Sequence, residues 1–269
     1  ATPGVEQVLD GAYFRTVNCD GQAGVIECRN GTGDNLDLTL HGIPTTAVFS
    51  TVQRVRELFD LDAPIAEIHA RLRADLRLRK MLEKSPGIRV PGAWNGFELL
   101  VRAILGQQVS VKAATTLSGR VAVRYGTAVE LPVSLSRSDS GVNLSRLFPT
   151  ASALSRARFN DIGLVTSRAA AIRAAASAVA AGRVAFDGVQ DPDELRHALT
   201  DLRGIGDWTA QYVAMRALKH PDAFPASDLG LLKAMDCNVT ELKNRAESWR
   251  PWRAYAALLL WNSLAGSGG

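Results

Sequence analysis

The residues with the most chemistry to offer lie in the last quarter of a 269-residue chain. Leu202-Arg203-Gly204-Ile205-Gly206 runs straight into Asp207-Trp208-Thr209-Ala210-Gln211-Tyr212, and a lone acid, Asp228, follows the loop Phe224-Pro225-Ala226-Ser227. Two glycines around an isoleucine let the backbone turn sharply and approach another surface closely. A helix that starts just after the turn leaves its first N–H groups unpaired, and such groups bind an anion through backbone alone. Gly-x-Gly between helices is by itself an ordinary turn. The longer phrase Leu-x-Gly-Ile-Gly-x-x-Thr-Ala is far more specific, and its physical role is a sequence-independent grip on phosphate. Residue type leaves Asp228 two readings: it, or Ser227, caps the next helix, or it holds negative charge beside a reacting centre. Trp208 and Tyr212 stand one helical turn apart. Trp249, Trp252, Tyr255 and Trp261 crowd the C-terminal segment, where aromatics ordinarily fill a core.

These residues require helices to hold them. Asp191-Pro192-Asp193-Glu194 combines an N-cap acid, a proline at the first helical position and an early Glu, so a helix leads into the glycine turn. A second helix leaves it, and short helices near 228–235 and 239–248 precede one over Pro251 to Leu264. Upstream, Trp94 to Leu105 carries Phe97, Leu100, Val101 and Ile104 as an apolar stripe. Gly106-Gln107-Gln108-Val109 breaks it, and Ser110 caps a helix through about Arg124. Residues 126–149 are rich in Ser, Pro and Gly and read as an irregular surface loop; Ala169 to Ala181 reads as an alanine-rich helix ended by Gly182. Pro64 and Ala74 each open a helix, and Gly87 to Gly92 connects. The first part differs. Leu36, Leu38 and Leu40 alternate with polar residues, and Tyr13 to Val17 and Ala23 to Cys28 flank the turn Cys19-Asp20-Gly21-Gln22, so strands occupy 12–41. Pro44 then starts a helix through about Leu58. The expected class is mainly α, with a small α+β lobe over 1–70 and a helical core over 71–269.

Composition bounds the function. Hydrophobic content of 46% and charged content of 22% belong to a globular protein, and no apolar run approaches the ~20 residues that span a bilayer. Cys19, Cys28 and Cys237 are odd in number and lack metal-type spacing, so reduced thiols, no zinc and a cytoplasmic location are expected. The net charge of +4 is uneven: residues 1–90 are net −1 and residues 91–269 net +5, a mildly basic balance that suits nucleic acid without requiring it. The chain opens on Ala1 inside an already folded pattern, which suggests a trimmed piece, and Gly266-Ser267-Gly268-Gly269 reads as a tail.

The hairpin phrase and the acid beyond it resemble the helix-hairpin-helix DNA repair glycosylases, and the aromatic set resembles the 3-methyladenine DNA glycosylase II (alkylation-repair) family among them. Further matches are Arg89-Val90-Pro91-Gly92, Val101 to Ser110 and Trp249 to Tyr255, so the resemblance covers roughly 12–264. It implies a two-lobed helical glycosylase core with lobes at 96–220 and at 71–95 with 221–269. It places the first strand of the N-terminal lobe ahead of Ala1, where some alkylation-repair chains also carry a phosphotriester-repair domain. Asp228 is then the catalytic aspartate, stabilising positive charge on the sugar as the N-glycosidic bond breaks. Trp208, Tyr212, Trp261 and Leu229 surround the flipped base, with Trp261 the stacking partner; an electron-rich wall attracts a cationic, alkylated base. Gly204, Ile205, Gly206 and Thr209 contact DNA at the hairpin, and Gln107 and Gln108 at the loop that enters the gap left by the base. The carbonyls of Thr200, Leu202 and Ile205 match the positions that hold Na+ or K+ in the family.

The departures shape the expectation. The inserted wedge of the family is often apolar and Gln108 is not, and Ser227 and Leu229 flank Asp228 where relatives carry another acid and an aromatic. Bifunctional relatives use a hairpin lysine where this chain has Trp208, and Lys219 lies about three turns further on, so no lyase activity is expected. Iron–sulfur relatives need four C-terminal cysteines, and none follows Cys237. The resulting picture is a monomer that needs no cofactor and acts in base excision repair on duplex DNA containing alkylated bases, with no membrane partner. Arg102, Lys112, Arg216 and Lys233 are candidates for its backbone contacts, and the salt slope is shallow. A non-catalytic binder of damaged DNA and an oxidised-base glycosylase are the other readings.

Overall fold

In the computed structural model the described residues are 1–133, 135, 141–186 and 191–265. Part of the expected 126–149 loop and the expected Gly-Ser-Gly-Gly tail lie outside them. An antiparallel meander opens the chain, β1 Glu6–Leu9, β2 Ala12–Cys19, β3 Gln22–Asn30 and β4 Leu36–His41, in that spatial order. Helices follow: α1 Val48–Leu58, α2 Ile65–Leu72, α3 Leu76–Lys84, α4 Gly96–Gly106, α5 Val111–Tyr125, α6 Ala151–Ser155, α7 Thr166–Ala180, α8 Pro192–Thr200, α9 Asp207–Ala217, α10 Leu229–Met235, α11 Val239–Ala246 and α12 Arg253–Ala265. The protein is mostly helical with a small N-terminal sheet, as the sequence patterns require.

Three elements differ from expectation. A strand that the sequence pattern does not mark, β1, precedes the expected ones and is joined to β2 by Asp10-Gly11 with φ of 48° and 73°. That two-residue Asp-Gly turn repeats at Asp20-Gly21 between β2 and β3, with φ of 53° and 84°. Positive φ at both central positions matches the twist of paired strands, which is why Asp-Gly marks hairpins. The short helix α6 sits inside a stretch with no clear periodicity, capped by Thr150 Oγ1 on the Ala153 amide at 3.2 Å. Finally, α7 begins three residues before Ala169.

The chain divides into two compact units, Ala1–Arg54 with Val101–Gly182 and Val55–Leu100 with Arg183–Gly269. The hairpin helices and the segment carrying Asp228 belong to the second of these units. In the first unit Ala12, Phe14, Val25, Leu135 and Leu144 form a core against the sheet. Beside it Glu6 is buried, accepting from Tyr13 Oη at 2.6 Å, Arg15 Nη1 at 3.1 Å and Arg102 Nη1 at 2.7 Å. Burial pushes its carboxyl up, but Arg102, Arg15 and the Tyr13 hydroxyl outweigh that and bring it down to about 2. Arg102, expected among the DNA contacts, therefore serves an internal ion pair.

In the second unit the core joins Leu72, Leu78, Leu231, Met235, Trp249 and Leu260 from α2, α3, α10 and the C-terminal helices. Asp75 stitches it together. Its carboxylate caps α3 through the Arg77 amide and also accepts from Arg245 Nε at 2.8 Å and buried Trp249 Nε1 at 3.2 Å. The 88–92 loop is pinned too: Asp60 Oδ2 accepts from the Val90 amide and Tyr255 Oη, both at 2.9 Å. A Cβ at Gly92 would meet the Glu57 carbonyl at 2.4 Å, so this close passage needs glycine. Among the described residues no helix is long and apolar enough to cross a membrane.

Candidate active site

The hairpin forms as its residues dictate. Asp191 Oδ1 accepts from the Asp193 amide at 2.7 Å, with Pro192 at the first helical position, and α8 runs to Thr200. The turn is closed by amide-to-carbonyl bonds, Leu202 to Leu199 at 3.1 Å and Ile205 to Leu202 at 3.0 Å. Gly204 has φ of 92°, a conformation that only glycine adopts freely. Ile205 is buried, 4% exposed, and pegs the turn to its unit. Gly206 is the N-cap of α9 and offers no side chain to the amides of its first turn, a position suited to an anion. Asp207 would oppose an anion there, but Arg196 Nη1 pairs with its Oδ1 at 3.3 Å.

Of the expected hairpin contacts, Gly204 and Gly206 are exposed. Thr209 is only 2% exposed, so its side chain faces inward, and Ile205 can reach DNA through backbone alone. The Thr200, Leu202 and Ile205 carbonyls are neutral oxygens of the kind a monovalent alkali cation takes, and that of Leu202 already accepts one bond. Among the described residues no cluster of three or more His, Cys, Asp or Glu is placed to hold a metal.

Asp228 fulfils the first of its sequence readings, the helix cap. It is the N-cap of α10, with Oδ1 accepting from the Leu231 amide at 3.0 Å. The same oxygen accepts from Trp261 Nε1 at 2.8 Å, and Oδ2 accepts from Trp208 Nε1 at 2.8 Å. Two indoles and one helix amide thus converge on a half-buried carboxylate, supplied by α9, α10 and α12. Gly230 makes room: a Cβ there would lie 2.9 Å from Asp228 Oδ1 and 3.4 Å from Trp261 Cδ1. Leu229 follows with 81% of its surface exposed, an apolar side chain presented to solvent next to the carboxylate.

The aromatics form one group. Trp208 and Tyr212 stack with centroids 5.3 Å apart and planes 6° from parallel; Tyr212 meets Trp261 edge-on at 6.4 Å. The Arg216 guanidinium lies 5.6 Å from the Tyr212 ring centroid and donates to Tyr212 Oη at 2.6 Å. Trp208 thus covers one face of Tyr212, and Arg216 sits at its hydroxyl, one turn further along α9. Arg216 also donates to the carbonyls of Pro91 at 2.8 Å and Gly92 at 3.4 Å, so this expected phosphate contact is a brace for the 88–92 loop. Neither the brace nor the space at Gly230 leaves a signal in sequence spacing. Trp249, 1% exposed, is core.

In the other unit Gln108 is exposed, in the left-handed region with φ of 55°, at the turn between α4 and α5. Arg168 Nη2 bonds the neighbouring Gln107 carbonyl at 2.6 Å. Ser110 Oγ caps α5 on the Ala113 amide at 3.2 Å, as expected. Lys219 is held by Glu57 at 2.8 Å. A cavity of about 1080 Å³ beside α8 and α9, lined by Arg196, Gln211, Ser227 and Arg253 among others, does not include Asp228.

A glycine hairpin, a capped aspartate and an aromatic group on adjoining helices define a helix-hairpin-helix base excision fold. The chain belongs to the HhH-GPD superfamily of base excision DNA repair proteins, which it matches over residues 101–247, and residues 1–95 match the AlkA N-terminal domain. It is 31% identical to DNA-3-methyladenine glycosylase 2 of Escherichia coli, over 97% of this chain and 89% of that protein. It is 36% identical to a probable bifunctional transcriptional activator/DNA repair enzyme AlkA of Mycobacterium tuberculosis, over 98% of this chain and 52% of that protein. The chain thus spans about half the length of the Mycobacterium tuberculosis relative. Its fold is similar to that of the 3-methyladenine DNA-glycosylase from Archaeoglobus fulgidus, with TM-score 0.80 at 23% identity over 95% and 88% of the two chains.

Proposed function

We propose that the chain is a monofunctional DNA glycosylase that hydrolyses the N-glycosidic bond of alkylated purines, such as 3-methyladenine, in duplex DNA. The observation that carries this reading is the Asp228 carboxylate, held by three N–H donors among two tryptophans. Likeness to relatives named as 3-methyladenine glycosylases supports the substrate class.

In the reaction the bond from the sugar C1′ to the base nitrogen breaks, and its electron pair leaves with the base. A purine made cationic by alkylation departs neutral, so no strong general acid is required. The sugar becomes an oxocarbenium-like cation, which the fixed carboxylate of Asp228 stabilises, and water adds at C1′ and loses a proton. The indole faces of Trp208 and Trp261 attract a cationic base more than a neutral one. The α9 N-terminus grips a phosphate, and a Na+ or K+ on the Thr200, Leu202 and Ile205 carbonyls would add positive charge there. Gln108, exposed at its turn, enters the gap left by the extruded base, and DNA is bound by a monomer. A reading without lyase activity is supported by Trp208 at the family's lysine position and by Lys219, which Glu57 engages.

Chromatography of bases released from alkylated, deaminated and oxidised duplexes tests the proposal. Methylated purines should appear first from the alkylated duplex, with no strand cleavage and no covalent adduct on borohydride treatment. Release of oxidised guanine with a trapped adduct would overturn it.

A further inference from the structure

The first compact unit carries a second set of groups suited to phosphate, none of which belongs to the hairpin. Between α6 and the first two turns of α7 lies a cavity of about 690 Å³. Three guanidiniums line it, Arg156 and Arg158 from the loop after α6 and Arg173 from α7, with no carboxylate in its lining. Arg156 and Arg158 are exposed and make no ion pair or hydrogen bond among the described residues. Arg173 is half-buried and spends one nitrogen on the Ala157 carbonyl, at the long distance of 3.5 Å. The nearest acid along the loop, Asp161, faces Arg124 at 4.0 Å.

Other features point the same way. The N-cap of α7 is Val165, which has no acceptor side chain, so the first amides of this fifteen-residue helix stay open beside the cavity. Ser155, Asn160 and Thr166 add neutral donors to the lining. Unpaired arginines in a concave surface are costly to assemble without an anion, since they repel one another and offer forks that match phosphate oxygens. No base-recognition surface accompanies them. The aromatic in the lining, Phe159, is 2% exposed and packed edge-on against Tyr125 at 5.2 Å, so it shows no face for stacking.

We infer that the cavity bounded by Arg156, Arg158 and Arg173 is a second phosphate-binding site, occupied by the phosphodiester backbone of the bound DNA. The inference rests on the proposed DNA-binding function and extends it to a surface beyond the hairpin. A site with cations, hydroxyls and helix amides but nothing to read a base suits a sequence-independent backbone contact. A free oligophosphate shares the same chemistry and is the other source the test must separate.

The test compares wild type with R156Q/R158Q, both exposed positions whose neutralisation spares the core, and with R173Q as a second variant. Affinity for an undamaged duplex is measured by fluorescence anisotropy across salt. Each phosphate contact contributes about 0.9 to the slope of log K against log salt, so losing two makes it shallower by about 1.8. The ratio of affinities at roughly 50 and 200 mM salt then shrinks about twelvefold. Single-turnover base release at saturating protein should match wild type. An unchanged slope in both variants, with base release intact, would overturn the inference and leave the proposed reaction standing. A reduced slope on a wild-type protein that releases no base would sustain the inference and sink the reaction. Tripolyphosphate that binds wild type, not the variants, and is not displaced by duplex would assign the site to a free anion and overturn the DNA assignment.

Discussion

Trp208→Phe separates what an indole ring does from what its N–H does. The ring remains to stack on Tyr212, while the one side-chain donor found on Asp228 Oδ2 is lost. Oδ1 keeps the Leu231 amide and Trp261, so the carboxylate stays attached but can pivot about that oxygen. A hydrogen bond to a charged group contributes about 1.5–3 kcal/mol. Both partners are half-buried, so water replaces part of the bond and the lower end applies. About 1.4 kcal/mol of lost transition-state stabilisation is about tenfold in rate. Single-turnover release of methylated base from alkylated duplex should therefore fall about tenfold, while affinity for undamaged duplex stays within about twofold. The effect should vanish in an Asp228→Asn background, because two changes acting through one contact are not additive. If Trp208→Phe releases base at the wild-type rate, the indole clamp is not needed. If it costs the same tenfold with Asp228→Asn already present, Trp208 acts through its ring.

Gly230→Ala places a methyl 2.9 Å from Asp228 Oδ1, so base release should drop on the order of tenfold with little loss of duplex affinity, read from the same two assays. Glu6 is held at about 2 against 4.5 for a free side chain, a difference of about 3 kcal/mol. A lowered pKa contributes stability that is complete above about pH 4.5 and is lost as pH falls toward 2; in urea unfolding Glu6→Gln should be less stable at pH 7 and show a flatter acid limb. Asp75→Ala removes the α3 cap and leaves the buried Trp249 N–H unpaired, so unfolding free energy should fall by about 3 kcal/mol with the spectrum of the folded state retained.

Much of the site is legible in sequence because its parts are local. The Gly204-Ile205-Gly206 turn, the Asp191-Pro192 start and the Ser110 cap follow from bonds spanning a few residues, and the structure forms all three. The Asp10-Gly11 hairpin was equally local, but β1 is short and lacks clear alternation, so strand periodicity gives no sign of it. What sequence cannot express is convergence across long separations. Trp261 donates to Asp228 over 33 positions and Arg216 reaches Gly92 over 124, distances at which side-chain chemistry carries no register. Charge shows the same limit: Arg102 and Arg216 read as free cations, yet Glu6 takes one and the 88–92 loop the other.

Asp228→Asn is the most direct test of the account. Asparagine caps a helix as well as aspartate does, so α10 keeps its first-turn acceptor and the fold is preserved. The negative charge goes, and an amide NH2 must face one of the two indole N–H groups. The quantity to measure is the single-turnover rate of 3-methyladenine release from alkylated duplex at saturating protein. The account predicts a fall of at least about a hundredfold, the scale of losing one charge-stabilising group from a reacting centre, with duplex affinity unchanged. Equal rates for the two proteins would contradict it.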